Sequence, residues 1–267
     1  MRLSFIGGGT MAEAIIGGIL EAQIAVPKEI WVGEVVKSRR EYLSSTYGIN
    51  AIDNNIEAIN ESELIVLSIK PQDVSSVSQV IQNRISNHQT VVSIIAGATI
   101  NTLMESTGHS KIIRIMPNTP AQIGSGMSVW TASDDVDASH IELTKTILST
   151  IGEEIYVYEE KYLDMSTGLS ASGPAYVFLI IEALIDAGVY VGLPRDMARK
   201  LALQTVYGSA KLVMETGRHP GELKDMVVSP GGTTAEGVQV LEKYSVPAAL
   251  VEAVNSAYLK SIRLGEK

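Results

Sequence analysis

The chain has no cysteine, which excludes disulfides and thiolate metal sites and suits a reducing compartment, the cytoplasm. Its histidines, His88, His109, His140 and His219, lie far apart, and none has metal-ligand spacing. All four read as surface or loop residues. There is no run of basic residues, and the net charge is −9, which argues against a nucleic-acid partner. Internal repeats and low-complexity linkers are missing too. The opening Met1-Arg2-Leu3-Ser4-Phe5-Ile6 runs too quickly into glycines to read as a signal peptide. One long apolar run, 175–193, approaches the length of a membrane span. Glu182 and Asp186 interrupt it, and each would cost roughly 2.5–3.5 kcal/mol at a bilayer centre. The expectation is therefore no membrane, and a helix buried on most sides by a second subunit. What remains is a chain of 267 residues, 45% hydrophobic and 19% charged. That suffices for a substantial core in one large domain or two smaller ones.

The first half reads as a dinucleotide fold. Residues 3–6 form a short apolar strand that leads into Gly7-Gly8-Gly9-Thr10-Met11-Ala12, a match to G-x-G-x-x-A. Ile15, Ile16, Ile19 and Leu20 then recur at helical spacing. Strand, glycine turn and helix form the setting in which a pyrophosphate rests on a helix N-terminus. Further strands are predicted at 30–33, 49–52, 64–69, 91–95, 112–116, 127–131 and 154–157. Helices are predicted near 37–47, 74–85, 100–105 and 135–151. Such alternation means a mostly parallel sheet covered on both faces, with ligands beyond the carboxyl ends of its strands. Glu34 ends the second strand, where an acid accepts hydrogen bonds from the adenosine ribose and repels a 2′-phosphate. Lys37, Arg39 and Arg40 follow closely and offer the opposite charge, so NADH and NADPH both stay open.

After about Tyr158 the strand pattern stops. Helices are expected at 161–169, 175–191, from Pro194 to Thr216, briefly after His219, and at 246–264, with a break at 170–174. About a hundred helical residues with few strongly amphipathic faces do not close neatly alone. Val177, Ile180, Ile181, Leu184, Ile185 and Val191 cover most of their helix, which fits an interdigitated homodimer. The fold class is thus α/β, a Rossmann-type dinucleotide-binding sheet over 1–158 followed by an all-α dimerisation domain over 159–267.

One stretch of that second half draws notice, Ser229-Pro230-Gly231-Gly232-Thr233-Thr234-Ala235-Glu236. A helix starts near Thr233, and its free N–H groups suit a carboxylate or phosphate. The plain alternative is an ordinary helix start, with Thr233 as N-cap and Glu236 closing a capping box. Three hydroxyls and two glycines are more than a cap requires.

Taken together, these motifs make the chain closely resemble the pyrroline-5-carboxylate reductases over its full length. The resemblance rests on the glycine turn, on Ile69-Lys70-Pro71, on Ser93-Ile94-Ile95-Ala96-Gly97 and on Arg114-Ile115-Met116-Pro117-Asn118-Thr119-Pro120. Ser170-Ala171-Ser172-Gly173-Pro174-Ala175-Tyr176 and the stretch Asp225 to Thr234 complete it. It implies reduction of the cyclic imine 1-pyrroline-5-carboxylate to L-proline with NADP or NAD as cofactor. By position it implies that Ile6, Gly7, Gly8, Gly9, Thr10 and Met11 hold the pyrophosphate, and Glu34 and Asn55 the adenosine ribose. Ser68, Ile69, Lys70, Pro71, Ile94, Ile95 and Ala96 would line the nicotinamide side. Ser229, Gly232, Thr233 and Thr234 would hold the substrate, with Thr234 at its ring nitrogen as the catalytic residue. It also implies a homodimer through the helical domain, with a larger ring as a further level of assembly.

There are departures. Glu34-Val35 stands where many members carry a small polar residue and Arg, Met226 where many have Asn, and Ala171 where Gly is common. The competing function is a non-catalytic paralogue with a binding or regulatory role; intact Ser229, Thr233 and Thr234 speak against it. A catalytic Lys211, as in related hydroxy-acid dehydrogenases, lacks the G-x-x-x-N-x-x-K pattern.

Overall fold

A computed structural model describes residues 1–265. It contains two compact units: Met1–Ser172 together with the residues from Ser256 onward, and Gly173–Asn255.

The first unit is built on strands β1 (Leu3–Ile6), β2 (Ile30–Gly33), β3 (Asn50–Ile52), β4 (Leu64–Leu67), β5 (Thr90–Ser93), β6 (Ile112–Met116), β7 (Gly126–Ala132) and β8 (Gly152–Tyr156). Its helices are α1 (Thr10–Glu21), α2 (Lys37–Tyr47), α3 (Asn55–Ile59), α4 (Val74–Ile81), α5 (Ile100–Thr107), α6 (Ala138–Ser149) and α7 (Lys161–Ser166). All eight strands join one sheet in the order β3-β2-β1-β4-β5-β6-β7-β8. The first six are parallel, β7 runs antiparallel to β6, and β8 is parallel to β7. The expected Rossmann-type sheet is present.

Successive side chains of a strand point to opposite faces, and each face has its own core. Phe5 packs with Ile16, Ile19 and Leu148 on one side; Ile6 packs with Ile65, Ile81 and Leu103 on the other. β4 and β6 are buried at every position, as a sheet covered on both faces requires.

Two histidines depart from the surface reading. His109 and His140 are buried. His109 Nε2 lies 2.8 Å from the Gln89 carbonyl oxygen, and His140 Nδ1 lies 2.8 Å from Thr90 Oγ1. Burial pushes the His140 pKa down, against the pull of Asp137. A base whose folded pKa is depressed contributes stability that is intact above its unfolded value of ~6.5 and lost as pH falls through the folded value. The urea midpoint should therefore drop on moving from pH 8 to pH 5, and His140→Gln should flatten that drop.

By packing, α7 goes with the first compact unit. Leu163 on α7 is fully buried, and Arg114 of β6 draws in Glu160 and Asp164 with contacts of 2.8 and 2.9 Å. The expected break at 170–174 is a π-helical turn, Thr167–Ala171. The Asn118 side-chain amide donates to the Ser170 carbonyl and hydroxyl oxygens, both at 3.3 Å.

The second unit is helical. It comprises α8 (Gly173–Tyr190), α9 (Arg195–Thr216), α10 (Pro220–Val227), α11 (Thr233–Lys243) and the first part of α12 (Val246–Gly265). Gly188 sits against Ala198, where a side chain would crowd α8 off α9. Within the single chain no residue of α8 is buried; the sequence reading assigned its cover to a second subunit. Phe178 and Leu179 are 60% and 66% exposed, so the apolar face of this helix is uncovered in the protomer. By length and composition the segment Lys161–Tyr190 is apolar enough to cross a bilayer.

Candidate functional site

Sheet register builds the site. Ile6 pairs with Gly33 on one side and Leu67 on the other, and Leu67 pairs with Ser93. The next residue along each strand, Gly7, Glu34, Ser68 and Ile94, therefore falls in one row beyond the carboxyl ends. The chain leaves β1 toward β2 on one side and enters β4 on the other, so a crevice opens between β1 and β4, the switch point where such sheets bind ligands. A cleft of about 770 Å³ occupies it, and all four of these residues line it.

Gly7 has φ +93°, and a Cβ there would lie 2.6 Å from the Ser68 carbonyl oxygen. Only glycine meets both conditions. The Ser68 hydroxyl donates to the Gly7 and Ile6 carbonyls at 2.7 and 3.1 Å, pinning the turn to β4. Gly7→Ala should cost upwards of ~1–3 kcal/mol from the forced backbone alone. An unchanged urea midpoint in that variant would contradict the strain described.

Beyond the turn, Gly9 is the N-cap of α1 and supplies no side-chain cap. The first intrahelical bond at this end runs from the Glu13 N–H to the Gly9 carbonyl, so the N–H groups of Thr10, Met11 and Ala12 have no intrahelical acceptor. A Cβ on Gly9 would meet nothing within 4 Å. Open space over free donors at the positive end of a helix fits a pyrophosphate.

At the other end of the cleft, Glu34 is held by the backbone. Its carboxylate accepts from the Gly8 N–H and the Val36 N–H, each at 2.8 Å. Asn55 enters at the first position of α3, a helix absent from the sequence reading; the Asn54 side chain caps it by accepting from the Ile56 and Glu57 N–H groups. A Cβ on Gly33 would collide with the Asn55 side chain, so glycine at the end of β2 is what admits it.

Of the cofactor residues expected from sequence, Ile6, Gly7, Gly9, Thr10, Met11, Glu34, Asn55, Ser68, Ile69, Lys70 and Ile94 line this cleft. Gly8 is buried and contributes its N–H to Glu34. Ile95 is buried in the core that holds Ile6 and Ile65, and it lines, with Pro71 and Ala96, a neighbouring recess between α4 and α5. Gln72, Asp73, Ser76 and Val77 also line the cleft and were not expected. Gln72 and Asp73 belong to the 3-10 turn Pro71–Asp73, and Ser76 and Val77 to the first turn of α4; their place beside the strand ends leaves no trace in periodicity. A recess of about 840 Å³ beside α1, lined by Glu13, Gly17, Gly18 and Thr150 among others, lacks this row of strand ends.

In the second unit the residues between α10 and α11 form a tight turn. The Gly232 N–H donates to the Ser229 carbonyl at 3.0 Å, and Gly231 has φ +67°. A Cβ on Gly232 would strike Ser229 Oγ. The N-cap of α11 is Gly232, with no side-chain cap, so the capping box with Thr233 as N-cap is not formed: Thr233 is already inside the helix. Among the described residues the Ser229, Thr233 and Thr234 hydroxyls have no hydrogen-bond partner, while Ser229 and Thr233 are exposed and Thr234 half-buried. Three uncommitted hydroxyls and a bare helix start can together bind a small anion. Lys211 pairs with Glu215 at 3.5 Å on an exposed face of α9. Among the described residues no cluster of His, Asp and Glu could hold a metal ion.

Comparison with known proteins sets these sites in context. A Synechocystis pyrroline-5-carboxylate reductase is 45% identical over 100% of this chain and 99% of its own length. The chain belongs to the pyrroline-5-carboxylate reductase family. The family description "Pyrroline-5-carboxylate reductase dimerisation" matches residues 160–264, and "NADP oxidoreductase coenzyme F420-dependent" matches residues 2–97. Another reductase of the family, from Arabidopsis thaliana, is 40% identical over 99% of the chain and 96% of its own length. A crystal structure of Plasmodium falciparum pyrroline carboxylate reductase with NADP bound superposes with a TM-score of 0.91. It is 34% identical and covers 99% of this chain and 98% of that one.

Proposed function

We propose that the protein reduces 1-pyrroline-5-carboxylate to L-proline, the last step of proline biosynthesis, with NADH or NADPH as hydride donor. The observation that carries this reading is the level row of Gly7, Glu34, Ser68 and Ile94 around a cleft with free N–H groups at one side, in a chain of this family. When bound, the reduced nicotinamide supplies the hydride that the imine carbon accepts, the carbon that becomes C5 of proline.

In this reading Gly9, Thr10, Met11 and Ala12 hold the pyrophosphate, Glu34 and Asn55 the adenosine ribose, and Ser68, Ile69, Lys70 and Ile94 the nicotinamide side. Pro71, Ile95 and Ala96 set the shape of that side from behind. The Ser229–Thr234 turn holds the substrate, with backbone N–H groups on its carboxylate and the Thr234 hydroxyl at the ring nitrogen. A protonated imine needs no strong general acid, which accords with a binding turn made of hydroxyls and amides. Positioning the reacting carbon then contributes most of the rate.

The uncovered apolar face of α8 supports a homodimer formed through the helical unit, as does the match to a dimerisation family. Assembly into a larger ring and a cytoplasmic setting complete the proposal. Purified protein should consume NADH or NADPH only when pyrroline-5-carboxylate is added, and L-proline should accumulate in equal amount. No consumption with either cofactor would overturn the assignment.

A further inference from the structure

We infer that the cleft selects NADH over NADPH, and that two carboxylates, Glu34 at its rim and Glu13 behind it, make the selection. The inference rests on the function proposed above and concerns only which cofactor that function uses.

Glu34 is held by two backbone N–H groups at 2.8 Å, one for each carboxylate oxygen. Both bonds hold the carboxylate in place. Each oxygen keeps a further lone pair for a ribose hydroxyl. A phosphate at the 2′ position would instead meet a fixed like charge.

The remaining question is whether nearby cations offset that charge. Arg39 lies closest to the glycine turn, and it is already engaged. Its Nε donates to the Gly8 carbonyl, and a terminal nitrogen forms a short ion pair with Glu13 Oε2. Its guanidinium also sits 5.0 Å from the Tyr42 ring centre. The other Glu13 oxygen accepts from the Tyr42 and Tyr47 hydroxyls, each at 2.8 Å. Burial alone would raise the Glu13 pKa, but the bonds from Arg39, Tyr42 and Tyr47 outweigh it and hold the carboxyl below its ordinary value. Burial, with the bond to Glu13, pushes the Tyr47 hydroxyl up to about 12. At neutral pH the cluster therefore matches the arginine with one carboxylate.

Arg40 is engaged as well. It donates to the Glu34 and Val35 carbonyls at 2.8 and 3.0 Å and lies 3.6 Å from Asp53. Lys37 is the looser cation, 3.7 Å from Glu41 on an exposed side chain. Lys70 stands three residues past the end of β4, on the nicotinamide side of the proposed site. A 2′-phosphate would thus face a rigid anion and find both neighbouring arginines committed.

The test is direct titration of the intact protein with NADH and with NADPH, followed by cofactor fluorescence at low and at high salt. NADH should bind roughly tenfold tighter at low salt, the scale of one like-charge contact near a protein surface. Added salt should narrow the margin, because screening weakens repulsion between charges; a purely steric exclusion would not respond. Glu34→Ser should bring the two affinities within about threefold of each other. Adding Glu13→Gln to that variant releases Arg39 and should tip the preference to NADPH. Equal or tighter binding of NADPH by the unaltered protein overturns the inference and leaves the proposed reaction standing. Binding of neither cofactor sinks both.

Discussion

Thr234→Ala is expected to slow turnover about 10²-fold, on the scale of removing one positioned donor, while cofactor affinity stays unchanged. The argument starts from the backbone. Gly232 occupies the N-cap position of α11, and a Cβ there would strike Ser229 Oγ. The glycine lets the chain turn with no side-chain cap, which leaves the Thr233 and Thr234 hydroxyls uncommitted. Thr234 is half-buried and Thr233 exposed, so Thr234 has the more fixed hydroxyl and the greater share of the proposed chemistry. In the proposed reaction the ring nitrogen becomes an amine as hydride reaches the imine carbon, and the hydroxyl stabilises it there. Thr234→Ser keeps that oxygen and should recover most of the rate. Because the native hydroxyl has no partner among the described residues, its removal should leave stability within about 0.5 kcal/mol of the parent. Steady-state kinetics on the folded variant decides the matter: turnover equal to the parent's would remove this hydroxyl from the mechanism.

The largest expected loss of stability comes from Arg114→Met. The Arg114 side chain is fully buried and meets Glu160 at 2.8 Å and Asp164 at 2.9 Å. Glu160 also accepts from the Ile100 N–H, and Asp164 from the Ser261 hydroxyl, both at 2.8 Å. One guanidinium therefore joins β6, the start of α5, α7 and the end of α12. Among the described residues its Nε has no partner, so the cluster is not fully satisfied even in the native state. Removing the cation leaves two carboxylates facing each other without compensation, a change worth about 3–5 kcal/mol for buried pairs. Glu160 and Asp164 keep 30% and 17% of their side-chain exposure, which points to the lower end of that range. Replacing all three charged residues by apolar ones should cost less than the single change. A urea midpoint unaffected by Arg114→Met would contradict this account of how α7 is attached.

Much of the architecture was legible because it follows from local pattern. Near-continuous apolar runs such as Leu64–Leu67 and Ile112–Met116 have little choice but to be central strands. Ile15, Ile16 and Ile19 mark the buried face of α1. Gly7 and Glu34 follow the predicted strand ends, but β4 and β5 stop two residues short of the predicted 64–69 and 91–95, so Ser68 and Ile94 complete the row in place of Lys70 and Ala96. What escaped was decided by contacts distant in sequence. The burial of His140 depends on Thr90, fifty positions away. Arg114 reads in sequence as one more residue of a motif; its partners Glu160 and Asp164, which tie α7 to β6, lie some fifty positions away. The link from Gly8 to Glu34 needs two strand ends in register before it exists. The turn at Ser229 was half legible: its glycines and hydroxyls were plain, but only the backbone shows that Gly232, and not Thr233, caps the helix.

The most direct measurement follows the hydride itself. The protein is supplied with pyrroline-5-carboxylate and a nicotinamide cofactor carrying deuterium at both C4 positions, and the product is examined by mass spectrometry. Direct transfer predicts L-proline with a single deuterium at C5. Unlabelled proline, or none, would contradict the account.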